Sequence, residues 1–182
     1  MRRALFLLWL ACAAGAHGQE LPDPKRFETD ILRFEEQDRE QMPPTGAIVL
    51  TGSSSIARWG NQAPAALAPL TVIPRGFGGS TMRDLAHYLD RVAIAYQPRA
   101  ILIYEGDNDT GGESPVPNEA IVADLQQIIA RIHEKLPQTR IYILSIKPSI
   151  LRWPRWSVAQ EVNAAYRRIA AEDPLLYYVD VA

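Results

Sequence analysis

The chain is predicted to be an α/β protein built on a parallel sheet, and three observations predict it. Five apolar runs recur along its 182 residues, at 47–50, 71–73, 100–104, 141–146 and 175–181. They are continuous rather than alternating in polarity, which suits strands covered on both faces. Helical periodicities fill the intervals, and strand–helix–strand units in series give parallel strands joined by right-handed crossovers. The length suits one domain with a sizeable core, and the sequence carries no internal repeat, low-complexity tract or linker.

The first element is a leader. Arg2 and Arg3 precede an apolar stretch at 4–14, and Ala16-His17-Gly18 offers a small-residue cleavage pattern before Gln19. That order reads as a secretory signal over 1–18, leaving 19–182 as the domain and placing it outside the cell or in the periplasm. The apolar stretch is too short to span a bilayer. Cleavage leaves 17 basic against 21 acidic residues, a net charge of −4 rather than −2. With no basic stripe, a nucleic-acid partner is not expected. The single cysteine, Cys12, lies in the leader, so the mature chain forms no disulfide framework. Leu10-Ala11-Cys12 partly resembles a lipoprotein signal, which makes a lipid anchor on Cys12 the alternative.

The remaining elements follow in order. Phe27, Ile31 and Phe34 give a helix over 27–41, stopped before Pro43-Pro44. Leu85, Leu89 and Val92 line a helix over 80–96. Ile121, Leu125, Ile128, Ile132 and Leu136 line one over 118–136. Val158, Val162, Ala165 and Ile169 do so over 156–171. Residues 111–117, "GGESPVP", form a loop at the sheet edge.

In an open parallel sheet, ligands bind beyond the carboxyl ends of the strands, near a switch in strand order. Three short motifs fall there: "GSSS" at 52–55, "RGFGGST" at 75–81 and "EGDND" at 105–109. Each alone reads as a turn or a helix cap. Together they bring a hydroxyl, a flexible glycine pair and an amide to one rim, the parts that acyl transfer needs: a nucleophile and preorganised donors for an oxyanion.

"LTGSSSIARW", "RGFGGSTMRDL", "YEGDND" and "SIKPSILRW", in that order and spacing, resemble the SGNH (GDSL-type) hydrolase superfamily, from about Phe27 onward. The resemblance implies a three-layer α/β/α sandwich, flavodoxin-like, that hydrolyses carboxylic esters of sugars or lipids without metal or cofactor. Carried over by motif, the nucleophile falls on Ser54, with Ser53 in place of the usual aspartate, and Ser53 or Ser55 shapes the turn and helix start. The second-block glycine falls on Gly79 and the third-block asparagine on Asn108. Their N–H groups, with that of Ser54, would hold the oxyanion. In the family an Asp-x-x-His block after the fifth strand supplies the base; none follows the run 175–181 here, and the one such spacing, Asp84 to His87, lies in the helix after the second strand. His17 leaves with the leader, and His87 and His133 lie about 10 and 21 Å down their helices from the rim. Asp180 reads as structural.

The expected protein is therefore a truncated esterase, ended at Ala182 before its last loop and helix, with weak or no activity. The alternative is a degenerate relative that binds an acyl or glycan ligand. A nucleotide-binding module is disfavoured, because Gly76, Gly78 and Gly79 lack the later glycine and acidic residue of a dinucleotide fingerprint. Trp59, Trp153 and Trp156 are expected to pack rather than to wall a substrate site.

Overall fold

The computed structural model describes residues 21–112 and 115–182. The leader, with Cys12 and His17, therefore lies outside the described residues. After a short 3-10 turn (Pro24–Phe27) come α1 (Glu28–Glu40), β1 (Ile48–Gly52), α2 (Ser54–Trp59), α3 (Ala63–Ala66), β2 (Val72–Gly76) and α4 (Met82–Val92). Then follow β3 (Ala100–Tyr104), α5 (Asp107–Gly111), α6 (Asn118–Lys135), β4 (Arg140–Leu144), α7 (Trp156–Ala170) and β5 (Leu176–Val179). The five strands form one sheet in the order β2-β1-β3-β4-β5, every pair parallel. The connection from β1 leads outward to β2 on one side, and β3 returns to the other side of β1. The order therefore reverses between β1 and β3, opening a crevice beyond their carboxyl ends.

The two sheet faces are covered unequally. One face, with Val49, Ile101, Ile103, Ile141 and Ile143, packs under α1, α4, α6 and α7. Of the stripe foreseen on α6, Ile121, Leu125, Ile128 and Ile132 are fully buried there, and Leu136, at the helix end, is half-buried. The other face carries Leu50, Val72 and Tyr104 against Ile56 and Ala63 of the short α2 and α3. Toward β4 and β5 this second face opens, and Tyr142 and Tyr177 stack with ring centroids 4.8 Å apart.

Two helices depart from expectation in physically readable ways. Helix α4 starts at Met82 rather than Ser80, because Thr81 and Asp84 form a reciprocal capping box. On α7 the buried residues are Ala159, Val162, Asn163, Tyr166 and Ala170; of the expected Val158, Val162, Ala165 and Ile169, Val162 is fully buried and the other three are half-buried at the edge of that face. Asn163 is a polar member of the buried face: its amide pairs with both N–H (2.7 Å) and C=O (2.9 Å) of Ile146, satisfying the backbone just beyond β4.

Helix α1 is fastened largely by charge. Its only fully buried residue is Ile31. Glu28 and Glu35 both pair with Arg91 of α4, at 2.9 and 2.6 Å, and Asp38 pairs with Arg75 on β2. Just before it, Arg26 pairs with Asp84 at 2.5 Å.

Candidate active site

At the end of β1, Gly52 adopts φ +128°, where a Cβ would overlap the Tyr104 carbonyl and lie 2.8 Å from its carbon. Only glycine lets β1 run this close to β3 while it turns into α2. The turn is held by Ser53 N–H donating to Tyr104 O (3.0 Å) and Phe77 N–H donating to Gly52 O (2.9 Å).

The three serines then separate into different environments. Ser53 occupies the N-cap with extended backbone, and its C=O accepts from Ile56 and Ala57, but its hydroxyl caps nothing and is buried without a partner. Ser55 Oγ accepts a 2.5 Å bond from Lys147 Nζ. Ser54 stands half-buried in the first turn of α2, facing the glycine turn after β2. A Cβ on Gly78 would lie 3.8 Å from that of Ser54. Gly79, at φ +90°, turns in open space, so its backbone is free of any overlying side chain.

Asn108 belongs to α5, a short helix at a motif that alone reads as a turn or a cap. Its Nδ2 donates to Ser80 O at 2.7 Å, and its Oδ1 accepts from Arg152 Nη2 at 2.6 Å. Arg152 also pairs with Asp107, and its stem crosses Gly111, where a Cβ would meet Cγ at 2.9 Å. The amide orientation is therefore set from both ends, and one Nδ2 hydrogen remains uncommitted. Gly79 and Asn108 open onto a cavity of about 330 Å³, lined also by Leu21, Pro22, Arg26 and Val116.

Beneath this rim lie buried acids. Glu105 accepts from Ser80 Oγ at 2.5 Å, while its Oε2 has no partner. Burial first, then the neighbouring charge of Asp109, pushes the Glu105 carboxyl well above its ordinary range. Asp109 is pushed up to about 7 by burial, against the opposing hydrogen bond from Met82 N–H (3.0 Å). Glu105 thus lies fully buried under the strand ends, a support for Ser80.

The family model described as GDSL-like Lipase/Acylhydrolase matches residues 43–182, most of the chain. The chain belongs to this family. No curated protein matches it in sequence. Among solved structures, this GDSL-family chain is similar to a Streptococcus pneumoniae protein described as a platelet activating factor, with TM-score 0.74 and 22% identity over 86% of this chain and 75% of that one. It is similar to a GDSL-like lipase from Bacteroides thetaiotaomicron, with TM-score 0.68 and 16% identity over 82% and 77% of the two chains. A catalytic mutant of an acetylxylan esterase from Geobacillus stearothermophilus gives TM-score 0.59 and 19% identity over 75% and 77%. At these identities the likeness is one of fold, the SGNH-hydrolase α/β sandwich.

In this GDSL-family sheet the two described histidines lie away from the rim. His87 is exposed on α4, its ring edge-on to Tyr88 at 4.6 Å. A ring nitrogen of His133 lies 3.2 Å from Thr139 O, before β4 begins, and the other lies 3.5 Å from Asp173. Asp180 bonds Arg167 (2.7 Å) and Ser145 (3.4 Å). Among the described residues, no group of three or more His, Cys, Asp or Glu could hold a metal ion, and no helix is long and apolar enough to cross a membrane.

Sequence reasoning missed Arg152 and Lys147, whose only signal was their place after the fourth strand. It also misjudged Trp153. Trp59 and Trp156 are partly buried against the cores, but Trp153 is 62% exposed. Pro154 and the 3-10 turn Trp153–Arg155 hold it on a loop that leaves the sheet.

Proposed function

We propose that the protein hydrolyses carboxylic esters, with Ser54 as the nucleophile. Ser54 Oγ attacks the acyl carbon, and the oxygen that becomes anionic is held by the N–H groups of Ser54 and Gly79 and by Asn108 Nδ2. Collapse breaks the C–O bond to the alcohol, which leaves with the serine's proton. Water then attacks the acyl-enzyme, releasing the carboxylic acid and restoring Ser54. Acetyl and other acyl esters of sugars or lipids are the substrate class. The acetylxylan esterase neighbour favours the first and the family's lipases the second.

The observation that carries this reading is convergence. The Gly78–Gly79 turn runs past Ser54, and Asn108 is fixed by Ser80 and Arg152 with a donor to spare, at the switch between β1 and β3. Among the described residues no histidine stands at the rim, and without one solvent would have to take the proton. The reading therefore expects slow turnover, of the order left to serine hydrolases by binding and oxyanion stabilisation alone, roughly 10³–10⁴ over water. The placement of both described histidines away from the rim favours a second reading, an acyl- or glycan-binding relative without turnover. Hydrolysis of 4-nitrophenyl acetate distinguishes them. Slow release abolished by Ser54→Ala and retained in Ser53→Ala and Ser55→Ala supports the esterase. Release unchanged by Ser54→Ala sinks it.

Export by a leader ending at Gly18 belongs to the same proposal, with a lipid anchor on Cys12 as its competitor. The mass of the protein recovered from the producing cell, with or without an acyl modification, separates the two.

A further inference from the structure

The loop between β4 and α7 exposes Ile150 at 98%, Leu151 at 86% and Trp153 at 62%. Other large exposed apolar residues, such as Leu32, Met42 and Leu70, are scattered in sequence. Isolated apolar side chains in water need no explanation, whereas adjoining ones at nearly full exposure mark a contact surface. The same loop carries Lys147, Arg152 and Arg155, and no acidic residue falls between 145 and 155.

Those cations are not equivalent. Arg152 is turned inward onto Asp107 and Asn108. Lys147 is steadied by neutral groups, Ser55 Oγ at 2.5 Å and Tyr104 OH at 3.0 Å, with its Nζ 4.5 Å above the Tyr104 ring. Neither Lys147 nor Arg155 joins an ion pair among the described residues. An acidic protein thus presents an apolar tip flanked by two uncompensated positive charges, on the rim that holds Ser54 and Asn108.

We propose that this loop docks the protein on an anionic lipid surface. Ile150, Leu151 and Trp153 enter the boundary between headgroups and acyl chains, and Lys147 and Arg155 meet lipid phosphates. Two features favour a lipid over a protein partner. Side chains exposed on nearly every side fit a fluid phase better than a fixed surface, and an indole with a free N–H suits the interfacial layer. Arg152, within the loop, grips Asn108, so docking turns the site toward the membrane. Resting on the proposed esterase reading, this narrows the substrate to acyl esters of lipids.

The test places an environment-sensitive NBD fluorophore on the thiol introduced by Leu151→Cys, in the full chain carrying Cys12→Ser. Vesicles containing phosphatidylglycerol are expected to shift its emission to the blue and raise its intensity, with a much weaker response to phosphatidylcholine alone. Lys147→Gln and Arg155→Gln should each weaken the vesicle titration about five-fold. The same label introduced by Gln138→Cys, exposed just before β4 at the opposite end of the sheet, should stay silent. A silent label at 151, an equal response to both lipids, or an equal response at 138 overturns the proposal. So does a response that grows with protein concentration without vesicles, which would assign the patch to a second copy. Ser54→Ala should dock unchanged. Docking with no ester hydrolysis therefore defeats only the esterase reading, and hydrolysis of soluble ester without docking defeats only this one.

Discussion

Replacing Asp109 by asparagine should stabilise the protein at alkaline pH and leave it nearly unchanged in acid. Asp109 is 1% exposed, and its carboxyl is pushed up from 3.8 to about 7, chiefly by burial. The folded pKa thus exceeds the unfolded one. Between those values the native state keeps a proton that the unfolded chain has released, so raising the pH favours unfolding. The full stability is present below about pH 4, is lost progressively up to about pH 7, and then levels off. A rise of about 3 units at about 1.4 kcal/mol each is worth about 4 kcal/mol, a large part of a typical total of about 5–15 kcal/mol. Asparagine keeps the acceptor for Met82 N–H and cannot ionise. Urea unfolding followed by tryptophan fluorescence between about pH 4 and pH 8 should show the variant's advantage growing through that window, with the m-value unchanged. A difference that stays flat across the range, or grows toward acid, would refute the argument.

Asn108→Ala should lower kcat for 4-nitrophenyl acetate by about 10²–10³ if its amide holds the oxyanion, and steady-state kinetics reads this directly. Arg152→Met should lower kcat in the same direction but by less, with KM nearly constant, because it frees the Asn108 amide without removing it. Gly52→Ala should destabilise by about 3 kcal/mol in urea titrations, because a Cβ collides with the Tyr104 carbonyl at a φ that suits glycine. Arg75→Met leaves Asp38 partnered only by Tyr96 OH in a largely buried place, and should cost about 3–5 kcal/mol by the same assay.

Much of the frame was legible because it is written in apolar periodicity. The run 100–104 is β3 residue for residue, and Ile121, Leu125, Ile128 and Ile132 bury as read. Ser54, Gly79 and Asn108 were legible as positions, since each follows a strand at one end of the sheet. Polar residues that act through specific bonds were not. Asn163 is buried on α7 because its amide satisfies the Ile146 backbone, and no pattern marks Arg152 as the partner of Asn108. Ser53 looked like a cap, but geometry at Gly52 buries its hydroxyl instead. Such roles depend on which loops meet in space, and spacing along the chain does not encode that.

The way α1 is attached has a consequence for the cavity beside Asn108. Leu21, Pro22 and Arg26, which wall it, enter the body of the protein through the segment fastened by Glu28, Glu35, Asp38 and Arg91. The opposite side is held partly by backbone bonds and apolar packing and partly by Arg152, which pairs with Asp107 and bonds Asn108. Salt screens exposed charges over about 8 Å at physiological ionic strength and buried pairs much less. The partly exposed pairs of Arg91 with Glu28 and Glu35 therefore respond to ionic strength more than the largely buried Asp38–Arg75 pair does.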